Sequence, residues 1–298
     1  MDPEALRAKV LAEVAAAGFA LAAIAPADPQ VAARKAALDA LASGHLEGMA
    51  WITADWLARA TAPDRFLPGA RSVILVALPY RRPPPRVPAA DGPTRGRIAA
   101  YAAGRDYHRV FEKRLRRLAR AIRVELGASA RPTVDYGPLL ERPLASTAGL
   151  GWRGKSTMLL VPGLGPWVLL GAVATDLDLR PDEPLKKRCG ACTRCIAACP
   201  TGALSPDGMR LDARLCISYH TIENRRPIPR ELRPLFGDWV FGCDDCLIAC
   251  PVGAQSTAGG PELAPAETDA DRPVLRDLLA LDEAAFVARF RGRAIMRA

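Results

Sequence analysis

The chain has 298 residues, half of them hydrophobic, and a formal net charge of +9 at pH 7. This length gives room for one large or two ordinary domains with a packed core, far more than an isolated ferredoxin needs. The positive charge alone does not show that the partner is a polyanion. An arginine-rich binding surface and the arginine bias of a GC-rich genome would both give this excess of positive charge.

Helices and strands are predicted to alternate at the N-terminus. Asp2 as N-cap and Pro3 in the first helical position predict a helix that ends at Gly18. The apolar periodicity predicts three further elements, namely a strand over 19–25, a helix over 31–42 and a buried strand over 72–80. The first part of the chain is therefore expected to be a mixed α/β unit.

A long basic helix is predicted after a linker at 81–97 that is rich in Pro and Arg. Its apolar stripe starts at Tyr107 and closes at Gly127. Arginines are spread around the helix, at Arg114, Arg116, Arg117 and Arg120. Such a charge run is more often a solvated helix surface than a nucleic-acid face, and the sequence leaves both interpretations open.

An acidic residue ends the next predicted element, a strand over 131–135 whose last residue is Asp135. Taken alone, an Asp shortly before Gly137 and Pro138 is typical of a turn or an N-cap. From the local sequence alone, a structural role for Asp135 in a turn or as an N-cap is therefore favoured over a catalytic role.

The segment from Gly149 to Ser156 satisfies the Walker A pattern G-x-x-x-x-G-K-[ST]. A phosphate-binding loop follows a buried strand and opens a helix. Here a helix over 141–148 is predicted before the segment and a strand over 157–161 after it. We therefore expect no nucleotide hydrolysis, and we interpret the glycines as positions where the backbone closely approaches a bulky ligand.

The longest apolar stretch covers 157–175, but Pro and Gly residues break it near the middle. A membrane-spanning helix needs roughly 20 uninterrupted apolar residues, so two strands over 158–161 and 167–174 are predicted instead. The N-terminus starts with an acidic helical pattern and lacks the features of an export signal. We expect a cytoplasmic protein without a membrane segment.

All eight cysteines lie in two runs, Cys189-x2-Cys192-x2-Cys195-x3-Cys199-Pro200 and Cys216-x26-Cys243-x2-Cys246-x3-Cys250-Pro251. In two-cluster ferredoxins the last cysteine of each run ligates the other cluster. The predicted ligand sets for two 4Fe-4S clusters are therefore Cys189, Cys192, Cys195 and Cys250 for one, and Cys199, Cys216, Cys243 and Cys246 for the other. Structural zinc and a disulfide framework are the alternatives, and both fit this spacing less well.

These features predict an α+β protein with three parts. They are a mixed α/β domain over 1–178, a bacterial two-cluster ferredoxin-like domain over 179–256 and a short helical C-terminal tail over 257–298. The charged, Pro-containing junction at 180–188 has the composition of a domain boundary. An amphipathic stretch at 273–290 predicts the helix of the tail.

Several motifs together resemble one family, the epoxyqueuosine reductases. They run through nearly the whole chain, as Met49-Ala50-Trp51, Pro68-Gly69-Ala70-Arg71-Ser72-Val73, Tyr101-Ala102-Ala103-Gly104-Arg105-Asp106-Tyr107-His108, Val134-Asp135-Tyr136-Gly137-Pro138-Leu139-Leu140-Glu141-Arg142, Ala148-Gly149-Leu150-Gly151-Trp152-Arg153-Gly154-Lys155, Cys216-Ile217-Ser218-Tyr219-His220-Thr221-Ile222-Glu223 and Phe241-Gly242-Cys243-Asp244-Asp245-Cys246.

The resemblance implies a cobalamin-dependent reductase with two 4Fe-4S clusters, which removes the epoxide oxygen of epoxyqueuosine at the wobble position of tRNA and gives queuosine. The part over 1–178 is then the cobalamin-binding and catalytic domain, with Asp135 as proton donor. An ordinary Asp has a pKa of about 3.9, so this role requires that Asp135 be desolvated beside the apolar Leu139 and Leu140, or be held against the reduced cofactor.

Cobalamin contacts carried over by motif position are Arg59, Tyr101, Asp135, Lys155, Ser156, Ser218 and Asp244. His108 and His220 are interpreted as packed or surface residues and not as cobalt ligands.

The resemblance also implies two partners. One is tRNA, bound through its anticodon stem-loop, with stem phosphates against the basic helix after Tyr107 and against Arg225, Arg226 and Arg230. The other is an external single-electron donor such as a flavodoxin or ferredoxin system.

Two other functions fit the same residues. A cobalamin-dependent reductive dehalogenase would carry the same cofactors, although its export signal is missing here, and a non-catalytic ferredoxin-type electron carrier would have no use for Asp135. The chain also departs from the family pattern at three places. Val252 and Gly253 stand where relatives tend to have an aromatic residue and Asn, and Ser156 stands where Asn is usual. The sequence stops at Ala298, inside a region that normally continues as helices.

Overall fold

The computed structural model describes residues 2–81, 92–254, 256, 259–264 and 270–297. The helices are α1 (Pro3–Ala16), α2 (Val31–Ala42), α3 (Ala54–Ala60), α4 (Pro63–Phe66), α5 (Tyr107–Glu125), α6 (Glu141–Thr147), α7 (Arg194–Ala197), α8 (Ile217–Ile222), α9 (Asp245–Ile248), α10 (Leu275–Leu279) and α11 (Glu283–Phe290). The strands are β1 (Leu21–Pro26), β2 (Ser72–Pro79), β3 (Arg97–Ile98), β4 (Ala130–Thr133), β5 (Trp152–Arg153), β6 (Leu159–Leu160), β7 (Val168–Thr175) and β8 (Trp239–Phe241).

A four-stranded sheet in the order β1-β2-β7-β4 forms the centre of the N-terminal part. Every neighbouring pair in it is antiparallel. Strand β2 lies inside the sheet and is buried over nearly its whole length, which explains its continuous apolar sequence Ser-Val-Ile-Leu-Val-Ala-Leu-Pro. The helices cover both faces of this sheet.

Alternate residues of β2 point into two hydrophobic cores. Ile74 and Val76 lie in the core that contains the apolar face of α5 and the buried residues of α1. Val73 and Leu75 lie in the core on the opposite face, together with Leu144 of α6. The N-terminal part is therefore a layer of helices, a sheet and a second layer of helices.

Most of the predicted N-terminal elements are confirmed. Helix α1 has Asp2 as its N-cap, with the carboxylate accepting from the Ala5 amide at 3.1 Å. Helix α2 has the predicted bounds, and α5 ends just before Gly127, which has a φ of +62°. Most of the predicted linker at 81–97 lies outside the described residues, because 82–91 are not among them.

Several strands are shifted or shortened by one or two residues, and two predicted elements differ further from their predicted bounds. The strand predicted over 131–135 is observed as β4 and stops at Thr133. The amphipathic stretch at 273–290 forms two helices, α10 and α11, because Asp282 caps a new helix by accepting from the Ala285 amide at 2.8 Å.

The cysteine-bearing part contains short elements that pack on each other and on the N-terminal part. Helices α7 and α9 are in contact, and β3 pairs with β8 in parallel, which joins a segment before α5 to the second cysteine run. Helix and sheet content of this kind confirms the α+β prediction. Among the described residues, no helix has the combination of length and apolar character that crossing a bilayer requires.

Candidate active site and cluster-binding region

Asp135 lies in a tight loop just beyond the end of β4. Its backbone has a φ of +51°, in the left-handed region that Asp and Asn tolerate better than most side chains. The loop packs so closely on the strand that a Cβ on Gly137 would lie 1.5 Å from Thr133 Oγ1. Glycine is therefore required at 137, and the backbone on both sides of Asp135 is held in place.

The carboxylate of Asp135 contacts two side chains from the first turn of α5. The Tyr107 hydroxyl donates to Asp135 Oδ2 at 2.6 Å, and His108 Nε2 lies 3.1 Å from the same oxygen. The other ring nitrogen, His108 Nδ1, lies 2.6 Å from Asp106 Oδ1. An imidazole placed between two carboxyl groups can exchange a proton with either of them, and both ring nitrogens donate only when the ring carries two protons. This geometry therefore connects Asp106 and Asp135 through His108.

Burial differs sharply along this row of side chains. The His108 side chain is 5% exposed, whereas the side chain of Asp135 is 56% exposed. The ring of His108 stacks against Tyr107, with centroids 3.9 Å apart, and has Tyr136 at 5.7 Å on the outer side. Leu139 and Leu140 do not by themselves cover the Asp135 carboxyl, and its desolvation by the bound cofactor, the other expected cause, stays a prediction. The carboxyl faces the surface while a buried imidazole contacts it from within.

Glu141 is a second carboxyl of this loop, and sequence reasoning missed it. Its Oε1 is buried and has no hydrogen-bond partner among the described residues. Burial raises the pKa of Glu141 from 4.5 to about 8, the negative charge of Asp135 raises it further, and the amides of Glu141 and Asp135 partly oppose the rise. Glu141 is therefore largely protonated at pH 7. The signal for it was a Glu directly after the apolar pair Leu139 and Leu140.

Three of the predicted cobalamin contacts connect to the Asp135 loop. The Tyr101 ring lies edge-on to Tyr107 with centroids 5.9 Å apart. Asp244 is buried and accepts from the Ala100 amide at 2.7 Å, and burial raises its pKa to about 7. Arg59 is half exposed in α3 and pairs with Asp55.

Helix α3 also joins the loop through its backbone. The carbonyl of Ala60, the residue after Arg59, accepts from the Leu140 amide at 3.0 Å. The structure thus brings Arg59, Tyr101 and Asp244 toward the elements that surround Asp135.

Lys155 and Ser156 do not lie beside Asp135. They lie where the N-terminal part packs against the cysteine-bearing part. Lys155 Nζ donates to the Gly190 carbonyl at 2.9 Å, and Ser156 is buried. Strands β5 and β6 form an antiparallel hairpin here, so the Walker A pattern has no helix after it and is not a phosphate loop. A Cβ on Gly154 would lie 2.9 Å from the Leu160 side chain. The close approaches that these glycines permit in the described residues are therefore to the chain itself, and contact of Lys155 and Ser156 with a bulky ligand stays a prediction.

Ser218 lies in α8, two residues after Cys216, the first cysteine of the second run. Burial raises the pKa of the Cys216 thiol, and the amide and hydroxyl of Ser218 partly oppose this rise. The same helix reaches the Asp244 segment, because Thr221 Oγ1 accepts from the Gly242 amide at 2.9 Å. His220 is buried, with Nε2 at 2.6 Å from the Arg214 carbonyl, in keeping with its interpretation as a packed residue.

The eight cysteines are free thiols, and Cys189 and Cys250, one from each run, belong to the same packed cluster. Cys195 interacts electrostatically with Cys189 and Cys250, which come from both cysteine runs. Cys246 interacts with Cys216 and Cys199, and also with Cys195. These charge interactions link members of each predicted ligand set, whereas the described residues contain no group of three or more side chains already close enough to hold a metal ion.

Burial raises the pKa of the Cys243 and Cys246 thiols well above the ordinary value, so thiolates here need a positive charge beside them. A cluster of sulfur ligands that is costly to ionise alone fits an iron–sulfur centre, which supplies that positive charge.

Comparison with known proteins agrees with this arrangement. A family model described as a 4Fe-4S double cluster binding domain matches residues 188–253, and the epoxyqueuosine reductase QueG family model matches residues 60–136. The epoxyqueuosine reductase of Aliivibrio fischeri is 38% identical over 275 residues, which are 91% of this chain and 73% of the relative. This chain belongs to the epoxyqueuosine reductase family. Its C-terminal half accordingly contains a domain for two iron–sulfur clusters.

Solved epoxyqueuosine reductases share the fold of this chain over part of their own length. A crystal structure of epoxyqueuosine reductase with an epoxyqueuosine-modified tRNA-Tyr stem loop has a TM-score of 0.89 and 28% identity, covering 98% of this chain and 77% of that one. The Bacillus subtilis enzyme, solved with its catalytic aspartate loop swung out of the active site, has a TM-score of 0.88 and 28% identity, covering 98% and 77%.

A catabolic reductive dehalogenase is a more distant structural neighbour. It has a TM-score of 0.51 and 17% identity, and the match covers 83% of this chain and 32% of the dehalogenase. A likeness at this level shows a shared fold alone, so it does not favour dehalogenation as the function of this epoxyqueuosine reductase homologue.

Proposed function

We propose that this chain reduces epoxyqueuosine to queuosine at the wobble position of tRNA. The observation that carries the proposal is the half-exposed Asp135 with His108 behind it, on the same chain as the double-cluster domain. A relative of the same fold has been crystallised with an epoxyqueuosine-modified stem loop, which supports tRNA as the substrate of this chain too.

The reaction sets a requirement for electrons and protons. Both C–O bonds of the epoxide break, a C=C bond forms, and the oxygen leaves as water, which takes up two electrons and two protons. Two 4Fe-4S clusters that each hold one electron supply one complete reduction. The protein itself must supply the protons at the oxygen.

Asp135 and His108 meet the proton requirement. We assign Asp135 as the donor to the epoxide oxygen, because its carboxyl faces outward, and His108 as the group that returns a proton to Asp135 from the buried side. Tyr107 holds the carboxyl by its hydrogen bond and so fixes the direction of donation. The neutral Glu141 adds no negative charge next to Asp135 at pH 7.

The residues near Asp135 fit a cobalamin cofactor. A corrin is a broad apolar ring edged with amide groups, and it needs an apolar wall with donors and acceptors around it. The rings of Tyr101, Tyr107 and Tyr136 beside Asp135 supply the wall. Bound there, cobalamin would supply a strongly reduced metal centre as the source of electrons for the epoxide. The proposed contacts are Arg59, Tyr101, Asp135, Lys155, Ser156, Ser218 and Asp244.

The basic helix α5 is the proposed phosphate-binding surface. Arg116, Arg117 and Arg120 are exposed on it, so their guanidinium groups can reach stem phosphates. Arg114 is used differently: it donates to Glu262 at 2.5 Å and to the Gly18 carbonyl, which ties α5 to other parts of the chain. We therefore assign the tRNA contact to the outer arginines.

Mass analysis of nucleosides tests this function. Anaerobic protein with both clusters, cobalamin and a chemical reductant is incubated with tRNA that carries epoxyqueuosine. We expect queuosine with cobalamin present and none when cobalamin is omitted. No queuosine with all components present, or equal yield without cobalamin, would refute the proposal. The cytoplasmic location, the domain boundaries and the flavodoxin or ferredoxin donor remain predictions.

A further inference from the structure

Trp152 carries a buried donor that the proposed chemistry does not use. This residue begins β5 and is 9% exposed. Its indole Nε1 is buried and has no hydrogen-bond partner among the residues that the structure describes. Buried polar groups are nearly always paired in folded proteins. An N–H donor in such a position therefore indicates an acceptor beside it.

The surroundings of Trp152 leave sulfur as the acceptor. The ring packs in a cluster with Cys250 and Cys189, and the other members are Leu160, Leu185 and Val252. Apolar side chains accept no hydrogen bond, and the sulfur atoms of Cys189 and Cys250 do not accept one from the indole in the described residues. The sulfides of a cluster held between these cysteines are therefore the acceptors that this neighbourhood would offer. The two cysteines come from different runs and belong to one predicted ligand set.

The fold holds this tryptophan firmly. Trp152 pairs with Leu160 in the β5–β6 hairpin, and a Cβ on the preceding Gly151 would lie 2.6 Å from the Leu160 carbonyl oxygen. Lys187 Nζ lies 5.8 Å from the centre of the ring, where a cation is attracted to the aromatic face. The indole is therefore fixed between the N-terminal part and the first cysteine run.

We propose that the Trp152 N–H donates a hydrogen bond to a sulfur of the cluster held by Cys189, Cys192, Cys195 and Cys250, and thereby raises the reduction potential of that cluster. The proposal rests on this ligand assignment. The reduced cluster carries one more negative charge than the oxidised cluster, so a donor to sulfur stabilises the reduced form more.

The second predicted cluster has no equivalent donor from its own tryptophan. Trp239 packs near Cys243, but its Nε1 donates to Asp245 Oδ2 at 3.0 Å. The same residue type is thus paired with a carboxylate at one cluster and directed at sulfur at the other. The hydrogen bond from Trp152 makes the two clusters unequal, with the cluster next to Trp152 the easier of the two to reduce for this reason.

Redox titration followed by electron paramagnetic resonance tests the effect on potential. Anaerobic holoprotein is compared with Trp152→Phe, which keeps an apolar ring and removes the N–H. We expect the equilibrium constant for reduction of one cluster to fall by about two- to ten-fold, which at 59 mV per tenfold is about 20 to 60 mV. The other cluster keeps its potential. Two unchanged potentials would overturn the proposal.

A second measurement detects the hydrogen bond in the wild-type protein. Tryptophan labelled with 15N in the indole is incorporated, and hyperfine coupling to the reduced clusters is recorded. We expect a 15N coupling that is kept in Trp239→Phe and lost in Trp152→Phe. If Trp152→Phe does not fold, the wild-type spectrum decides, because the absence of any indole coupling there refutes the hydrogen bond.

The two proposals fail in different ways. Wild-type protein that makes queuosine but shows no indole coupling rules out the role of Trp152 alone. Protein that contains no iron–sulfur clusters rules out the ligand assignment as well.

Discussion

Replacement of Glu141 by Gln gives a quantitative test of the buried carboxyl beside Asp135. In the folded chain the pKa of Glu141 is about 8, against an ordinary 4.5. Between these values the unfolded chain has lost a proton that the folded chain retains, so wild-type stability falls as pH rises. Each pH unit costs about 1.4 kcal/mol, which sums to about 3 kcal/mol at pH 7.

The Glu141→Gln variant lacks this pH dependence, because Gln is neutral and has nearly the same shape. The stability of the variant relative to wild type should therefore increase by about 2 kcal/mol between pH 6 and pH 8. In a chain of this size that difference corresponds to about 4 °C in Tm. Thermal unfolding of the anaerobic holoprotein at both pH values measures it.

Two comparisons make the test specific. Glu125→Gln, at the exposed end of α5, controls for the loss of one negative charge from the molecule. Infrared spectra at pH 7 should show the carbonyl band of a protonated carboxyl in the wild type, and this band should be missing in Glu141→Gln. The same Tm difference between variant and wild type at pH 6 and pH 8 would refute the assignment of a protonated Glu141.

Three further changes test the other parts of the site. His108→Asn should lower turnover at least tenfold and move the pH dependence of turnover while cluster content stays constant, because Asp135 loses its proton partner; an unchanged pH profile contradicts this. Cys250→Ser should reduce iron from about eight to about four per chain, and full iron content would contradict the ligand assignment. Joint replacement of Arg117 and Arg120 by Ala should reduce the slope of log affinity for tRNA against log salt by about one per lost phosphate contact. An unchanged slope would place the tRNA elsewhere.

The parts of the fold that were predictable have local signals. Helix α2 has the predicted bounds because apolar and polar residues repeat with a helical period, and α1 begins at its predicted cap, Asp2. The cysteine spacing predicted a double-cluster domain, and the family model at 188–253 confirms that domain. Each of these features is set by residues close together in sequence.

The parts that were not predictable depend on contacts between distant segments. His108 lies 27 residues before Asp135, and no periodic pattern links them. Trp152 meets Cys250 across the seam between the two parts of the chain, although nothing in its local sequence points to a cysteine. The loop with the Walker A pattern is another example. Its contacts depend on tertiary packing and cannot be predicted from its local sequence.

Counting products per electron tests the central proposal most directly. Protein that carries cobalamin and both clusters is fully reduced, freed from excess reductant under anaerobic conditions, and mixed with excess tRNA that contains epoxyqueuosine. Two cluster electrons and one further electron on cobalt are enough for one two-electron reduction and too few for two, so we expect about one queuosine per chain. Asp135→Asn with the same cofactor content should give almost none. Queuosine formed equally by protein with oxidised clusters, or by Asp135→Asn at the wild-type rate, would contradict the account.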